Sequence, residues 1–103
     1  MATLHTVNKS AFERNSLDSC LSVCKPDASV LLIEDAVVAA LQDTAVSEKV
    51  SNAIAEGIQF FALQEDVKAR GLPEQRIMEN VTLVDYKGFV NLVTENDRVQ
   101  NWL

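Results

Sequence analysis

Hydrophobic positions along this chain fall into five short runs, separated by stretches of helical spacing. Thr3 to Val7 is rich in β-branched residues, interrupted by His5, and reads as a strand. Asn8-Lys9-Ser10 breaks it. Ser10 with Glu13 has capping-box spacing and Asn15 with Asp18 repeats the signal, so an irregular turn from Ser10 leads into a helix over Asn15–Val23. Lys25-Pro26-Asp27 ends that helix, because proline moves the residue before it out of the helical region. Ser29 to Glu34 is a continuous apolar run closed by the carboxylates Glu34 and Asp35, the mark of a strand buried on both faces.

The second half repeats the alternation. Ala36 to Leu41 is alanine-rich and reads as helix. Gln42–Thr44 is a loop, and Val46–Ala55 a second helical piece with Val46, Val50, Ala53 and Ile54 on one side. Gly57 stops it, and Ile58–Leu63 is the third strand. Gln64–Arg70 is a short helix with acids first and bases last, ended by Gly71 and Pro73. Pro73 to Asn80 is a polar connection. Val81–Val84 is the fourth strand, and Asp85 caps a helix over Tyr86–Glu95 whose buried side is Phe89, Val90, Val93 and Thr94. Arg98–Leu103 closes the chain as a short fifth strand.

Strands alternating with helices predict an α/β fold. It has three layers, α/β/α, around a mainly parallel sheet of about five strands joined by right-handed crossovers. In such sheets reactive groups gather outside the carboxyl ends of the strands, here Asn8–Arg14, Glu34–Asp35, Gln64–Asp66 and Asp85–Lys87. The 103 residues make one domain, 1–103.

Charge narrows the partners. A net charge of −6, with scattered Lys and Arg, argues against direct nucleic-acid binding. No apolar run reaches the roughly 18 residues of a membrane span, and the N-terminus lacks a signal-peptide pattern. A cytoplasmic location follows, with both cysteines as free thiols. Helical positions four apart hold their Cβ atoms about 5–6 Å from each other, too far for a disulfide.

Few motifs carry chemistry. Gly57, Gly71 and Gly88 stand alone and form no phosphate loop. One histidine and no paired Cys-His spacing argue against a metal site, and no organic cofactor is expected. His5 reads as a partly buried ring, or as a group that polarises a thiol. Glu34-Asp35 and Glu65-Asp66 read as caps and solvated charges. The cysteines lie in Ser16-Leu17-Asp18-Ser19-Cys20-Leu21-Ser22-Val23-Cys24. At about 100° per residue from Leu17, Leu21 sits near +40°, Cys24 near −20° and Cys20 near −60°. Helical geometry therefore puts Cys24 inside the apolar stripe and Cys20 at its edge, free to face a cleft or partner.

Several blocks carry a family resemblance. Leu4-His5-Thr6-Val7-Asn8-Lys9-Ser10, Phe12 through Leu21, Leu31-Leu32-Ile33-Glu34-Asp35, Ala62 through Leu72 and Val84-Asp85-Tyr86-Lys87-Gly88-Phe89-Val90 resemble the DsrH/TusB family, in one register from end to end. The resemblance implies the DsrE-like fold. It implies a subunit of a cytoplasmic 2:2:2 heterohexameric sulfurtransferase with DsrE-like and DsrF-like partners. Such a complex relays persulfide sulfur to or from small carriers of DsrC or TusA type, and is active only when assembled. Cys20 within Leu17-Asp18-Ser19-Cys20-Leu21 resembles the DsrH-like branch, which serves dissimilatory sulfur oxidation, and becomes the candidate catalytic, persulfide-carrying residue. The alternatives are a non-catalytic assembly subunit, the tRNA 2-thiouridine (TusBCD-like) relay, and a stand-alone flavodoxin-like binding domain.

Overall fold

The computed structural model describes residues 2–102; Leu103, expected in the last strand, lies outside them. Among these residues the apolar runs form five strands: β1 (Thr3–Val7), β2 (Ser29–Leu32), β3 (Gln59–Leu63), β4 (Val81–Val84) and β5 (Arg98–Trp102). They make one sheet in the order β4-β3-β2-β1-β5, and every pairing is parallel. β2 is buried at every position, as an all-apolar central strand requires.

Four α-helices connect them: α1 (Ser16–Val23), α2 (Ser47–Ala55), α3 (Gln64–Ala69) and α4 (Tyr86–Glu95). The first three crossovers step the same way along the sheet, so right-handed connections stack α1, α2 and α3 on one face. The fourth steps back past β1, so α4 lies on the other. The two faces bury unequal cores. Val7, Val30, Leu32, Phe60, Ala62 and Val81 pack under the larger helical layer, with Leu17, Cys20, Val50 and Val67. On the opposite face Leu4, Leu31 and Leu92 form a smaller cluster with Ile33, Phe61, Val84 and Phe89.

Three local expectations change. Glu34–Ala40 is a 3-10 helix, not an α-helix, closed by Ala36 N–H donating to the Ile33 carbonyl and Leu41 N–H to that of Val38. Glu34 enters it with φ +51°, its N–H donating to Asp66 Oδ2 at 2.7 Å. Seven tight residues bury Ala36, Val37, Ala39 and Ala40, small side chains that fit the narrow cylinder. At α1, Asn15 makes no side-chain cap, and Ser10 instead organises the preceding turn by accepting from the N–H groups of Phe12, Glu13 and Arg14. At α4, Asp85 caps as expected, accepting from Gly88 N–H at 2.8 Å.

The buried side of α4 is not the expected one. Leu92 is the buried residue and Phe89 is half-buried, while Val90 is 61% exposed and Val93 38%. Gly88 explains the phase. A Cβ on it would lie 2.9 Å from Val84 Cβ, so the bare backbone is what allows close approach to β4. Gly88 and Leu92, four apart, therefore face the sheet. Tyr86, Val90 and Val93, also at helical spacing, form an apolar stripe pointing away.

Three substitutions check the fold, the first two this arrangement of α4. Leu92→Ala should lose about 2–3 kcal/mol of unfolding free energy, the low end for a large-to-small core change, while Val90→Ser should stay within about 0.5 kcal/mol. Gly57→Ala should lose more than ~1 kcal/mol, because φ there is +104° and the added Cβ would meet the Pro26 carbonyl oxygen at 2.8 Å. Urea unfolding midpoints measure all three.

Candidate functional site

The chemistry of the chain converges where α1 ends beside β1. α1 runs antiparallel to the strands, so its last turn comes down towards their amino ends. Pro26 forbids helix at Lys25, and the chain turns extended at Cys24 (φ −69°, ψ 138°), with Cys24 N–H donating to the Leu21 carbonyl at 3.3 Å. Cys24 is thus past the helix, and its phase on the stripe is lost. The expected order of the two thiols reverses: Cys20 is fully buried beside Leu17, and Cys24 is half-buried. The cluster also lies towards the amino ends of the strands, not at the carboxyl edge where reactive groups were expected.

Both thiols are free, and their Sγ atoms are 3.8 Å apart. A ring nitrogen of His5, from the middle of β1, completes a group whose ligand-type atoms all lie within 4.8 Å of one another. Sequence spacing gave no sign of this trio, because residue 5 and residues 20 and 24 are joined only by the β1–α1 crossover. Behind them Trp102 of β5 donates its Nε1–H to His5 Nδ1 at 3.1 Å, with the two rings tilted by 34°. Trp102 was missed from sequence. Strand β5 returning beside β1 puts residues 98, 100 and 102 on the same side of the sheet as 3, 5 and 7. The crossover rule combined with that alternation was the available signal.

The electrostatics separate the roles of the three groups. The neutral His5 ring accepts at Nδ1, so Nε2 carries its hydrogen, and burial holds the ring's pKa below its ordinary 6.5. A ring with one nitrogen accepting and the other protonated has no lone pair for a metal. The trio is therefore better suited to thiol chemistry than to ligation. Cys20 is pushed well above the ordinary thiol range, first by its hydrogen bond to Cys24 and then by burial. Cys24 is lowered, because that same hydrogen bond stabilises its thiolate more than burial opposes it. Cys24, the less buried of the two, is the sulfur that ionises more readily, and a Cys24 thiolate can then accept the Cys20 S–H.

His5 also lines a cleft of about 680 Å³, together with Val23, Lys25, Asp27, Arg98 and Gln100 among others. Val23 and Lys25 flank Cys24 in sequence. At the carboxyl edge of the sheet Asp35 and Asp66 are engaged structurally, Arg70 pairing with Asp35 at 2.9 Å and approaching Asp66 at 3.8 Å, while a buried Glu65 oxygen, Oε1, has no hydrogen-bond partner among the described residues. Among the described residues no helix is long and apolar enough to cross a membrane.

Comparison with known proteins fits this architecture. Residues 9–99 match the family described as DsrH like protein. Protein TusB of Pectobacterium parmentieri is 39% identical over 100 residues, covering 96% of this chain and 99% of that protein. Protein TusB of Erwinia tasmaniensis is 36% identical over 99 residues, with the same coverage. Among solved structures, the ychN protein from E. coli superposes with a TM-score of 0.82 over 98% of this chain and 99% of that one, at 16% identity. The MTH1491 protein from Methanobacterium thermoautotrophicum gives 0.75 over 97% of each, also at 16% identity. These two likenesses establish the fold.

Because burial lowers the His5 pKa, acid should destabilise the protein through this ring. Below 6.5 the unfolded His5 binds a proton that the folded ring resists, so the unfolded state holds more protons and stability rises with pH across that window. Urea unfolding from neutral pH down to mild acid should show this loss, and His5→Gln should flatten it. Parallel curves for the two proteins would contradict a buried, neutral His5.

Proposed function

The chain belongs to the DsrH-like family, and from that premise we propose that it is a subunit of a cytoplasmic sulfur-relay assembly in which sulfane sulfur passes between protein thiols as persulfide. One observation carries the reading: two thiols 3.8 Å apart beside a histidine that itself lines an open cleft. Sulfur relay needs a thiolate, access for a donor, and no metal or organic cofactor, and these residues supply the first two.

The relatives named TusB, at up to 39% identity, favour the tRNA-thiolation relay. Cys20 within Leu17-Asp18-Ser19-Cys20-Leu21 favours the sulfur-oxidation branch as the second reading. Both share the partners proposed here: DsrE-like and DsrF-like subunits in a 2:2:2 heterohexamer, and a small carrier of TusA or DsrC type. The outward stripe Tyr86, Val90 and Val93 supports assembly. These residues leave apolar surface on the sheet face that a single helix covers.

Co-expression with the two companion subunits tests the proposal. Native mass measurement should find one mixed assembly, and Val90→Asp should weaken it at least ~10-fold while leaving the urea midpoint of the isolated chain in place. Failure to associate with either companion would overturn the subunit reading. Transfer of radiolabelled sulfane sulfur through the assembly should drop when this chain carries Cys20→Ser and Cys24→Ser together. Undiminished transfer would reduce the chain to a structural subunit.

A further inference from the structure

We propose that Cys24 is the thiol that takes sulfane sulfur from the His5–Lys25–Arg98 cleft, with Cys20 as the positioning residue that holds it through a sulfur–sulfur hydrogen bond. The inference rests on the sulfur-relay reading above and names the reacting atom within it.

Access decides between the thiols. Cys20 is 0% exposed, under Leu17 and the β1 side chains, whereas Cys24 is half-buried between two residues of the cleft wall. Transfer between thiols requires the attacking sulfur to come into line with a donor's S–S bond, which a fully buried atom cannot do without local opening. Geometry also sets the Cys20 sulfur 3.8 Å from Cys24, where its S–H can donate to a Cys24 thiolate and favour it.

The step balances without an external oxidant. Cys24 Sγ, as thiolate, attacks the terminal sulfur of a persulfide R–S–SH. A Cys24–sulfur bond forms as the donor's S–S bond breaks. The hydrogen stays on the transferred sulfur, and the donor leaves as the thiolate RS⁻. Negative charge therefore moves from Cys24 to the leaving sulfur, which sits in a cleft carrying the Lys25 and Arg98 cations; Asp27 is the opposing charge there. The reverse attack by a partner thiolate passes the sulfur on, with Cys24 as leaving group.

Cys20 has a second consequence. Its attack on the inner sulfur of a Cys24 persulfide would form a Cys20–Cys24 disulfide and release HS⁻, losing the cargo. Complete burial, which does not depend on the state of Cys24, disfavours the Cys20 thiolate that such an attack needs.

Loading the full chain with glutathione persulfide, followed by peptide mass spectrometry, tests the assignment. Added sulfur should be found on Cys24, Cys24→Ser should abolish loading, and little sulfide should be released. On the unmodified chain, iodoacetamide should label Cys24 first and Cys20 only on unfolding. The midpoint of the Cys24 rate against pH should rise in Cys20→Ala, slowing alkylation at neutral pH roughly 3- to 10-fold, and return in Cys20→Ser, whose hydroxyl again donates. Sulfur found on Cys20, with loading intact in Cys24→Ser, overturns the inference and leaves the relay standing. An unchanged midpoint in Cys20→Ala overturns the positioning role. Absence of loading on both thiols, in the chain and in its assembly, overturns the relay reading itself.

Discussion

The close passage of Gly57 against Pro26 is the constraint on which the site depends. Residue 57 has φ +104° and its Cα faces the Pro26 carbonyl so closely that only glycine fits. The contact locks the loop after α1 to the turn between α2 and β3, and Gln59 N–H donating to the Ala28 carbonyl at 3.0 Å continues the seam into the sheet. With that loop fixed, α1 has nowhere to continue, and the chain must extend at Cys24. Cys24 still packs against the core cluster of Leu17 and Cys20, as Leu21 does, but is only half-buried there. Helix termination, a backbone event, thus divides two identical side chains into one buried and one accessible.

The division matters because a buried thiol and an exposed one are different reagents. A thiol withdrawn from water keeps its proton; a half-buried thiol beside a second sulfur that can donate to it loses it more readily. His5 adds a neutral ring whose orientation is set from the far strand by Trp102. That hydrogen bond ties β5, the last strand, to the chemistry of the first crossover. It also explains why residues nearly a chain length apart form one site.

Most of the architecture was legible in the sequence, and the failures share one cause. Apolar runs bounded by turn residues located β1 to β4, most clearly β2, which is buried at every position, whereas β5 is a largely exposed edge strand legible only as the closing stretch of the chain. Asp85 was legible as a cap because capping chemistry is local. Helix phase was not local. In α4 a single bare Cα at Gly88 set which stripe met the sheet, and in α1 the stop at Val23 removed Cys24 from the stripe altogether. Likewise the Ala36–Leu41 stretch had good helix formers, yet the left-handed Glu34 and its tie to Asp66 set a tighter 3-10 path. Side-chain periodicity assumes an unbroken helix with every face equally free, and each error arose where a particular contact or an early stop overrode that assumption.

The two sheet faces then partition the work. Right-handed crossovers crowd three α-helices and the 3-10 segment over one face, which gives that side enough depth to bury Cys20 completely and still leave a cleft at its margin. The other face has α4 alone, and one ten-residue helix cannot cover five strands. Its apolar remainder at Tyr86, Val90 and Val93 is surface that another protein surface can cover. Chemistry on the thick side and association on the thin side are therefore not competing readings. Both follow from one reversal in strand order, made when the chain passes from β4 back across the sheet to pair β5 with β1. That same pairing delivers Trp102 to His5, so the crossover that thins one face also completes the site on the other.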